Sequence, residues 1–465
     1  MVISLEGDST QHSTCIENVI FIIKPNPMTT SAPVSQSQRI VALDILRGVA
    51  LLGILLMNMP GFSMPDYFSE AFRSNPKDIN FWVRAVEIIF FEGKMRALFS
   101  AIFGAGIILF TINKERDGGS STALFYWRMA WLVVFGLIHS HILLWAGEIL
   151  YYYGVIGMIA FLFRKMKPMY LAMAIPLVAI VEFVVNTIFF QDIRNKRIAY
   201  TEAVAAQKEN KPLTDGQNLA LKEWKEIEVD LIPSREVAAE HTVIMKSDYH
   251  AVAKYIRKFS WDGQTKYLIY GLWDPLALML LGMALYKWGF LTLQWSRKEY
   301  IRTILIGYGL GYPLVIWNFY YNYINFPTME AGLVHMEQHA INWMGLIYPV
   351  QRIFLMMAHA SLILLVIQAG IFSGFLNRLR AVGQMAFTNY IVHTLICTFI
   401  FFGYGLNYFA EVEYYKIYFV VFAIWILQLS YSAPWLKRFL FGPCEWLWRS
   451  LTYWKIQPMK RNVSQ

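Results

Sequence analysis

RIVALDILRGVALLGILLMNMP, residues 39–60, is apolar from Ile40 to Met59 apart from Asp44, Arg47 and Asn58. That run has the ~20 residues that a bilayer-spanning helix needs. Asp44 and Arg47 stand three apart and share a helix face near one end, while Asn58 lies almost at the other. Ionisable groups inside a span are costly and face a protein interior or a wet cavity, so the helix is expected to line a site. The alternative is that Asp44 and Arg47 form a structural pair at the interface, with Arg47 snorkelling outward.

The rest of the chain agrees with a membrane setting. Its 465 residues are 57% hydrophobic and 16% aromatic with positive mean hydropathy, which excludes an ordinary soluble domain and points to an all-α polytopic membrane protein. There are 41 basic and 32 acidic residues, and the polar segment 191–264 contains 12 of each, so the whole positive excess lies on short loops and tails. This is the pattern of the positive-inside rule and gives no reason to expect nucleic acid. Cys15, Cys397 and Cys444 are scattered and suggest neither a disulfide framework nor a zinc site.

Ten spans are expected near 40–60, 95–113, 124–145, 149–163, 169–190, 267–290, 302–322, 347–370, 384–403 and 414–432, the one at 149–163 being short. With the N-terminus inside, every inner connection is basic: Lys114 and Arg116, then Arg164, Lys165 and Lys167, then Lys287, Arg297 and Lys298, then Arg378 and Arg380, then Lys437 and Arg438. Both termini are therefore expected in the cytoplasm. The domains expected are a tail at 1–38, a five-helix region at 39–190, an extracytoplasmic helical insertion at 191–264, a second five-helix region with an amphipathic end at 265–454, and a tail at 455–465. Met28 is a candidate true start, which would leave 1–27 untranslated. Within the insertion, 222–232 and 249–259 have helical spacing, and Pro212 and Pro233 supply breaks. His335 and His339 are four apart without a third ligand, so no metal is expected. No internal repeat is evident, which weakens a transporter reading.

The chemistry-bearing residues gather at the expected outer side. GLIHSHILLWAGEIL, 136–150, ends the third span; His139 and His141 are two apart, about 200° around a helix, so only one can face a given cleft. A histidine beside a carboxylate such as Glu148 can take a proton from a hydroxyl or amine. Glu92, Lys94 and Arg96 stand at the mouth of the second span, where with Asn58 and one histidine they would make a polar chamber able to hold an anionic head group; they also suit plain interfacial anchoring. In 383–394, GQMAFTNYIVHT, Gln384 lies beneath Thr388 and Asn389 beneath His393, a density of polar groups that usually joins helices by hydrogen bonds. Residues 433–453 are amphipathic and should lie along the inner surface.

ALDILRGVALLGILLMN at 42–58, GLIH with LWAGEIL at 136–150, and GQMAFTNYIVHT with FFGYGL and PWLKRFLFGPCEWLWRSLTY toward the end together resemble the YeiB family of bacterial inner-membrane proteins, whose C-terminal half is domain of unknown function 418. The resemblance runs from about Met28 to Trp454. That family is grouped with membrane acyltransferases, including the lysosomal enzyme that acetylates heparan glucosamine. The resemblance thus implies transfer of an acyl group from cytosolic acyl-CoA, such as acetyl-CoA, to an extracytoplasmic acceptor. The partners expected are membrane lipid, a small-molecule or glycan acceptor and a second copy of the chain in a homodimer. Asn58 resembles an Asn ending the first helix of that enzyme, but the loop 59–80 has no histidine to match its catalytic one. His139, in the GLLH-like element, is the replacement base, and Glu148 stands where the family generally has Asp. Asp44 and Arg47 are then donor-binding, Asn58 polarises the thioester carbonyl, and Glu92, Lys94, Arg96 and His141 are acceptor-side residues. The competing expectation is a transporter or flippase of a small amphipathic solute.

Overall fold

A computed structural model describes residues 36–65, 73, 75–116, 121–231 and 234–461. Cys15, the Met28 start, residues 66–72 and 74 of the 59–80 loop and Pro233 lie outside the described residues. The helices are α1 Gln36–Ser63, α2 Ile79–Val86, α3 Lys94–Arg116, α4 Ser121–His141, α5 Leu150–Leu162, α6 Pro168–Lys208, α7 Asp215–Leu231, α8 Arg235–Met245, α9 Tyr249–Gln264, α10 Leu268–Gly271, α11 Trp273–Lys287, α12 Arg297–Asn325, α13 Met329–Gln338, α14 Met344–Ala369, α15 Ser373–Gln384, α16 Ala386–Phe401, α17 Tyr414–Arg438 and α18 Pro443–Thr452. Among the described residues the only β feature is an isolated bridge between Phe439 and Lys460.

In lipid the backbone must satisfy itself, and a helix does so within one segment. Among the described residues, seven apolar helical segments are long enough to cross a membrane, and the pair α15–α16, bent by 81°, makes an eighth if it is one span. Of the ten expected segments, α5 is short at 13 residues, α16 has 16 and follows the bend, and α12 does not meet the span criterion. All ten are nevertheless helical. The second begins earlier than expected: α2 and a π-helical turn, Glu87–Phe91, lead into α3. Arg84 and Glu87 interrupt the apolar run there, and they neutralise one another at 2.8 Å. The fifth continues well past its expected end, to Lys208. Its Tyr170, Met173, Leu177, Ile180, Val184 and Ile188 are exposed along one stripe, as expected of a lipid-facing surface.

Two close crossings hold the bundle together. A Cβ on Gly282 of α11 would lie 1.8 Å from the Ala101 carbonyl of α3, and one on Gly383 of α15 would lie 1.8 Å from the Asp44 carbonyl of α1. Without a hydrophobic drive between helices in lipid, such small-residue contacts let backbones pack closely. Every residue of α11 from Asp274 to Leu285 is buried, so this helix is the bundle's centre.

The two ends differ. At the basic end, Lys287 Nζ donates to the carbonyls of Arg164 (2.7 Å) and Met166 (2.5 Å), and the amphipathic α18 packs with Trp448 Nε1 donating to the Arg128 carbonyl. At the other end, α8 and α9 form a cap: Arg257 Nε donates to the His141 carbonyl at 2.8 Å, Tyr249 to the Ile142 carbonyl at 2.9 Å, and Gly403 N to the Met245 carbonyl. The outer part of α6 with α7 and α13 forms a separate small cluster around Trp224, tied by Arg197 to Glu337 at 2.7 Å.

Candidate functional site

At the capped end, α4 finishes at His141 and the chain turns through Leu144, whose φ is 59°, to Glu148 just ahead of α5. The first N–H groups of a helix lack intrahelical acceptors, and a carboxylate there satisfies them and meets the positive end of the dipole. Glu148 accepts from Leu150 N and, at 2.8 Å, from Tyr151 N. Its Oε1 is also 3.4 Å from His139 Nδ1, while His139 Nε2 is 2.7 Å from Thr394 Oγ1 of α16. An ionised carboxylate only accepts, so Nδ1 carries the proton, Nε2 is the lone pair and the Thr394 hydroxyl donates to it. The Tyr390 ring stands edge-on at 4.9 Å. His139 and Thr394 are 0% exposed and Glu148 4%.

His141 points elsewhere. Its Nε2 is 3.0 Å from Gln264 Oε1 of the cap, and Gln264 Nε2 donates to Ser140 Oγ at 3.0 Å. Asn58 is half-buried and makes no side-chain hydrogen bond among the described residues. His335 and His339 stack on one another at 3.8 Å. Among the described residues no group of three His, Cys, Asp or Glu is arranged to hold a metal.

From Thr394 a series of buried polar groups runs down α16 to the basic end. His393 Nε2 donates to Gln428 Oε1 at 2.9 Å, because Gln428 Nε2 is committed to the Asn389 carbonyl at 3.0 Å. Asn389 Nδ2 donates to Ser432 Oγ at 3.3 Å and its Oδ1 accepts from Tyr431. Gln384, at the bend, donates to Asp44 Oδ2 at 3.0 Å, and Asp44 pairs with Arg47 at 2.8 Å. Arg47 also reaches the Gly383 carbonyl at 3.4 Å. Asp44 and Arg47 thus fasten α1 to the bend between α15 and α16. Glu445 of α18 caps α16, accepting from Phe387 N at 2.7 Å and Thr388 N at 3.1 Å.

Beside Gln384 opens a cleft of about 1020 Å³ lined by Arg380, Lys437, Arg438, Lys460 and Arg461, with no acidic side chain on its wall. Such a wall suits a polyanion. The isolated bridge at Phe439 brings the tail residues Lys460 and Arg461 back to it.

The expected outer chamber divides. Glu92 and Lys94 line a cavity of about 360 Å³ with Arg84, Tyr348 and Gln351. Arg96 lies apart, 3.4 Å from Asp274, which also holds Arg352 Nη1 at 2.9 Å. Sequence reasoning missed Glu87, Arg84, Asp274 and Arg352. Each is an ionisable residue inside an apolar run, which is the signal that could have found them. Glu87 is buried between Arg84, Tyr414 and Tyr418, the last donating at 3.0 Å.

An all-helical bundle with lipid-facing stripes, close glycine crossings and ionisable groups buried between its helices defines a polytopic membrane protein. Residues 285–455 match the family described as "Protein of unknown function (DUF418)", which takes in α12 to α18. The chain is 28% identical over 452 residues to the uncharacterized protein YeiB of Escherichia coli, covering 92% of this chain and all of that one. It is 27% identical over 445 residues to the uncharacterized protein YxaH of Bacillus subtilis, covering 94% and 100%. No solved structure matches. The chain is thus similar to YeiB and YxaH over nearly its whole length, and to the DUF418 family over its C-terminal part.

Proposed function

We propose that this protein is an acyl-CoA-dependent acyltransferase of the bacterial cytoplasmic membrane, with both termini inside and the acceptor outside. The observation that carries the reading is the buried series Thr394, His139 and Glu148, in which a hydroxyl, a base and an orienting carboxylate are joined in order. The basic cleft would hold the phosphates of the donor, with Asp44 and Arg47 keeping Gln384 at its edge.

Thr394 Oγ attacks the thioester carbonyl while His139 Nε2 takes its proton. The C–S bond breaks, the proton passes to the departing thiolate, and free CoA leaves an ester on Thr394. An acceptor hydroxyl then attacks that ester, gives its proton to His139, and the acyl–Oγ bond breaks with return of the proton to Thr394. Glu148 stabilises the imidazolium formed in each half. Because the series has almost no exposed surface, the cap of α8 and α9 must shift for the acceptor to enter.

The test is incubation of detergent-purified protein with acetyl-CoA, followed by mass spectrometry of the Thr394 peptide and calorimetry of donor binding. Wild type and Thr394→Ser should gain an acetyl group. Thr394→Ala should gain none at that position, and His139→Gln should acylate roughly 10²–10⁴-fold more slowly while still binding donor. Acetylation that is unchanged in Thr394→Ala removes the covalent step, and failure of wild type to bind any acyl-CoA removes the enzyme. The 81° bend and the polar series along α16 favour one rival, a transporter of a small amphipathic solute. Solute counterflow in proteoliposomes without acyl donor would support that rival.

A further inference from the structure

The cavity between α2, α12 and α14 is a second site, remote in its lining residues from the Thr394 series. Lys94 is 2% exposed, yet among the described residues its ammonium donates only to the Ile88 carbonyl, at 2.5 Å. An ammonium has three donors, so two remain for a ligand. Gln351 is also 2% exposed, and its Oε1 has no partner among the described residues. Burying an unpaired amide oxygen costs about 1–3 kcal/mol, which a ligand donor would relieve. On the cavity wall, Arg73, Arg84 and Lys94 face Glu92, and Glu87 is paired behind Arg84, so among the described residues three cations meet two carboxylates. The surplus of one positive charge matches a phosphodiester.

The walls opposite these groups are aromatic, with Phe81, Phe319 and Phe326. Asn318 and Tyr348 belong also to an adjoining groove of about 460 Å³ that reaches Phe183 and Phe190 of the lipid-facing α6. A polar pocket with one net positive charge, an acceptor in need of a donor and an exit along Phe183 and Phe190 of α6, shared with Glu182 and Asn186, fits one amphiphile. We infer that this cavity binds the head group of an anionic glycerophospholipid, with its phosphodiester on Lys94 and Arg84, a head-group hydroxyl donating to Gln351 Oε1, and its acyl chains along α6. The inference does not depend on the acyltransferase reading, and its test reads lipid binding alone.

Native mass spectrometry of detergent-purified protein in phosphate-free buffer would titrate dioctanoyl phosphatidylglycerol against dioctanoyl phosphatidylcholine, which has no head-group donor. Phosphatidylglycerol should bind at least tenfold more tightly. Lys94→Met should reduce its affinity tenfold or more. Gln351→Leu should lower the preference for phosphatidylglycerol over phosphatidylcholine. If Lys94→Met fails to fold, Lys94→Gln serves in its place, because a neutral amide can still donate to the Ile88 carbonyl but lacks the charge that the phosphate needs. Equal binding of the two lipids, or full affinity in Lys94→Met or Lys94→Gln, overturns the assignment. Binding of glycerol 3-phosphate as strong as that of the lipid overturns the lipid as its source.

Discussion

Glu148 and Glu445 each accept from two successive backbone N–H groups at a helix start, one at each end of the bundle. A carboxylate in that position meets the positive end of the helix dipole and satisfies N–H groups that have no intrahelical acceptor. In Glu148 this fixes an oxygen beside His139 Nδ1 and hence the tautomer of the ring. The sequence left His139 and His141 equivalent, because the group that distinguishes them, Thr394, is 255 residues away. A different histidine yields a pH prediction. His241 of α8 stacks on Tyr255 at 4.7 Å and packs on Phe409, and burial pushes its imidazole down from 6.5 to about 4. The unfolded segment therefore takes up a proton before the folded one does. The contribution is intact above about pH 6.5 and falls as pH drops toward 4, by on the order of 1–2 kcal/mol at about pH 5. Hydrogen exchange across 235–245, corrected for intrinsic rate, should be faster at about pH 5 than at pH 7. The difference should disappear in His241→Phe. Equal protection at both pH values in wild type would show that the imidazole is not sealed.

Elements were legible to different degrees, for reasons that lie in their chemistry. A membrane helix satisfies its own backbone, so length and apolarity suffice to place α1, α11, α14 and α17 from the sequence. They do not suffice where a span carries a compensated pair, as Arg84 and Glu87 do, because the compensation is visible only in space. Nor do they reveal the bend between α15 and α16. Its cause is tertiary: α15 lies against α1 through Gly383 and Gly48, and a Cβ on Gly48 would come within 2.2 Å of the Leu379 carbonyl. Gly383→Ala should force these backbones apart, destabilise the protein by about 1–3 kcal/mol and pull Gln384 away from Asp44. Gly106→Ala, whose Cβ would meet nothing within 4 Å, is the control and should keep the wild-type melting temperature. If thermal unfolding in detergent gives both variants the same midpoint, the close crossing does not hold the bend.

At the scale of the whole molecule, the two candidate chemistries sit at opposite ends of one bundle, and the direction in which it crosses the membrane decides what each end can meet. The basic cleft at Arg380 and Lys437 fits a cytosolic polyanion only if that end faces inward; the cap over His139 then faces outward. Lys and Arg near span ends are retained on the cytoplasmic side, and Arg164, Lys165, Lys287, Arg297, Lys298, Arg378 and Arg380 all belong to connections at the cleft end. The segment 191–264, which contains the cap, is long, and long segments translocate largely regardless of charge. Exposed positions at the two ends provide the test: Lys298 just after the start of α12, and Lys254 in the middle of α9. In a variant without its native cysteines, Lys254→Cys should react with a membrane-impermeant maleimide on intact cells rendered permeable only in their outer envelope, while Lys298→Cys should react only after the membrane is opened. Reversed labelling would put the basic cleft outside, remove the cytosolic donor from the mechanism and leave the Thr394 series facing the cytoplasm, where a transferase of the proposed kind would have its acceptor on the wrong side.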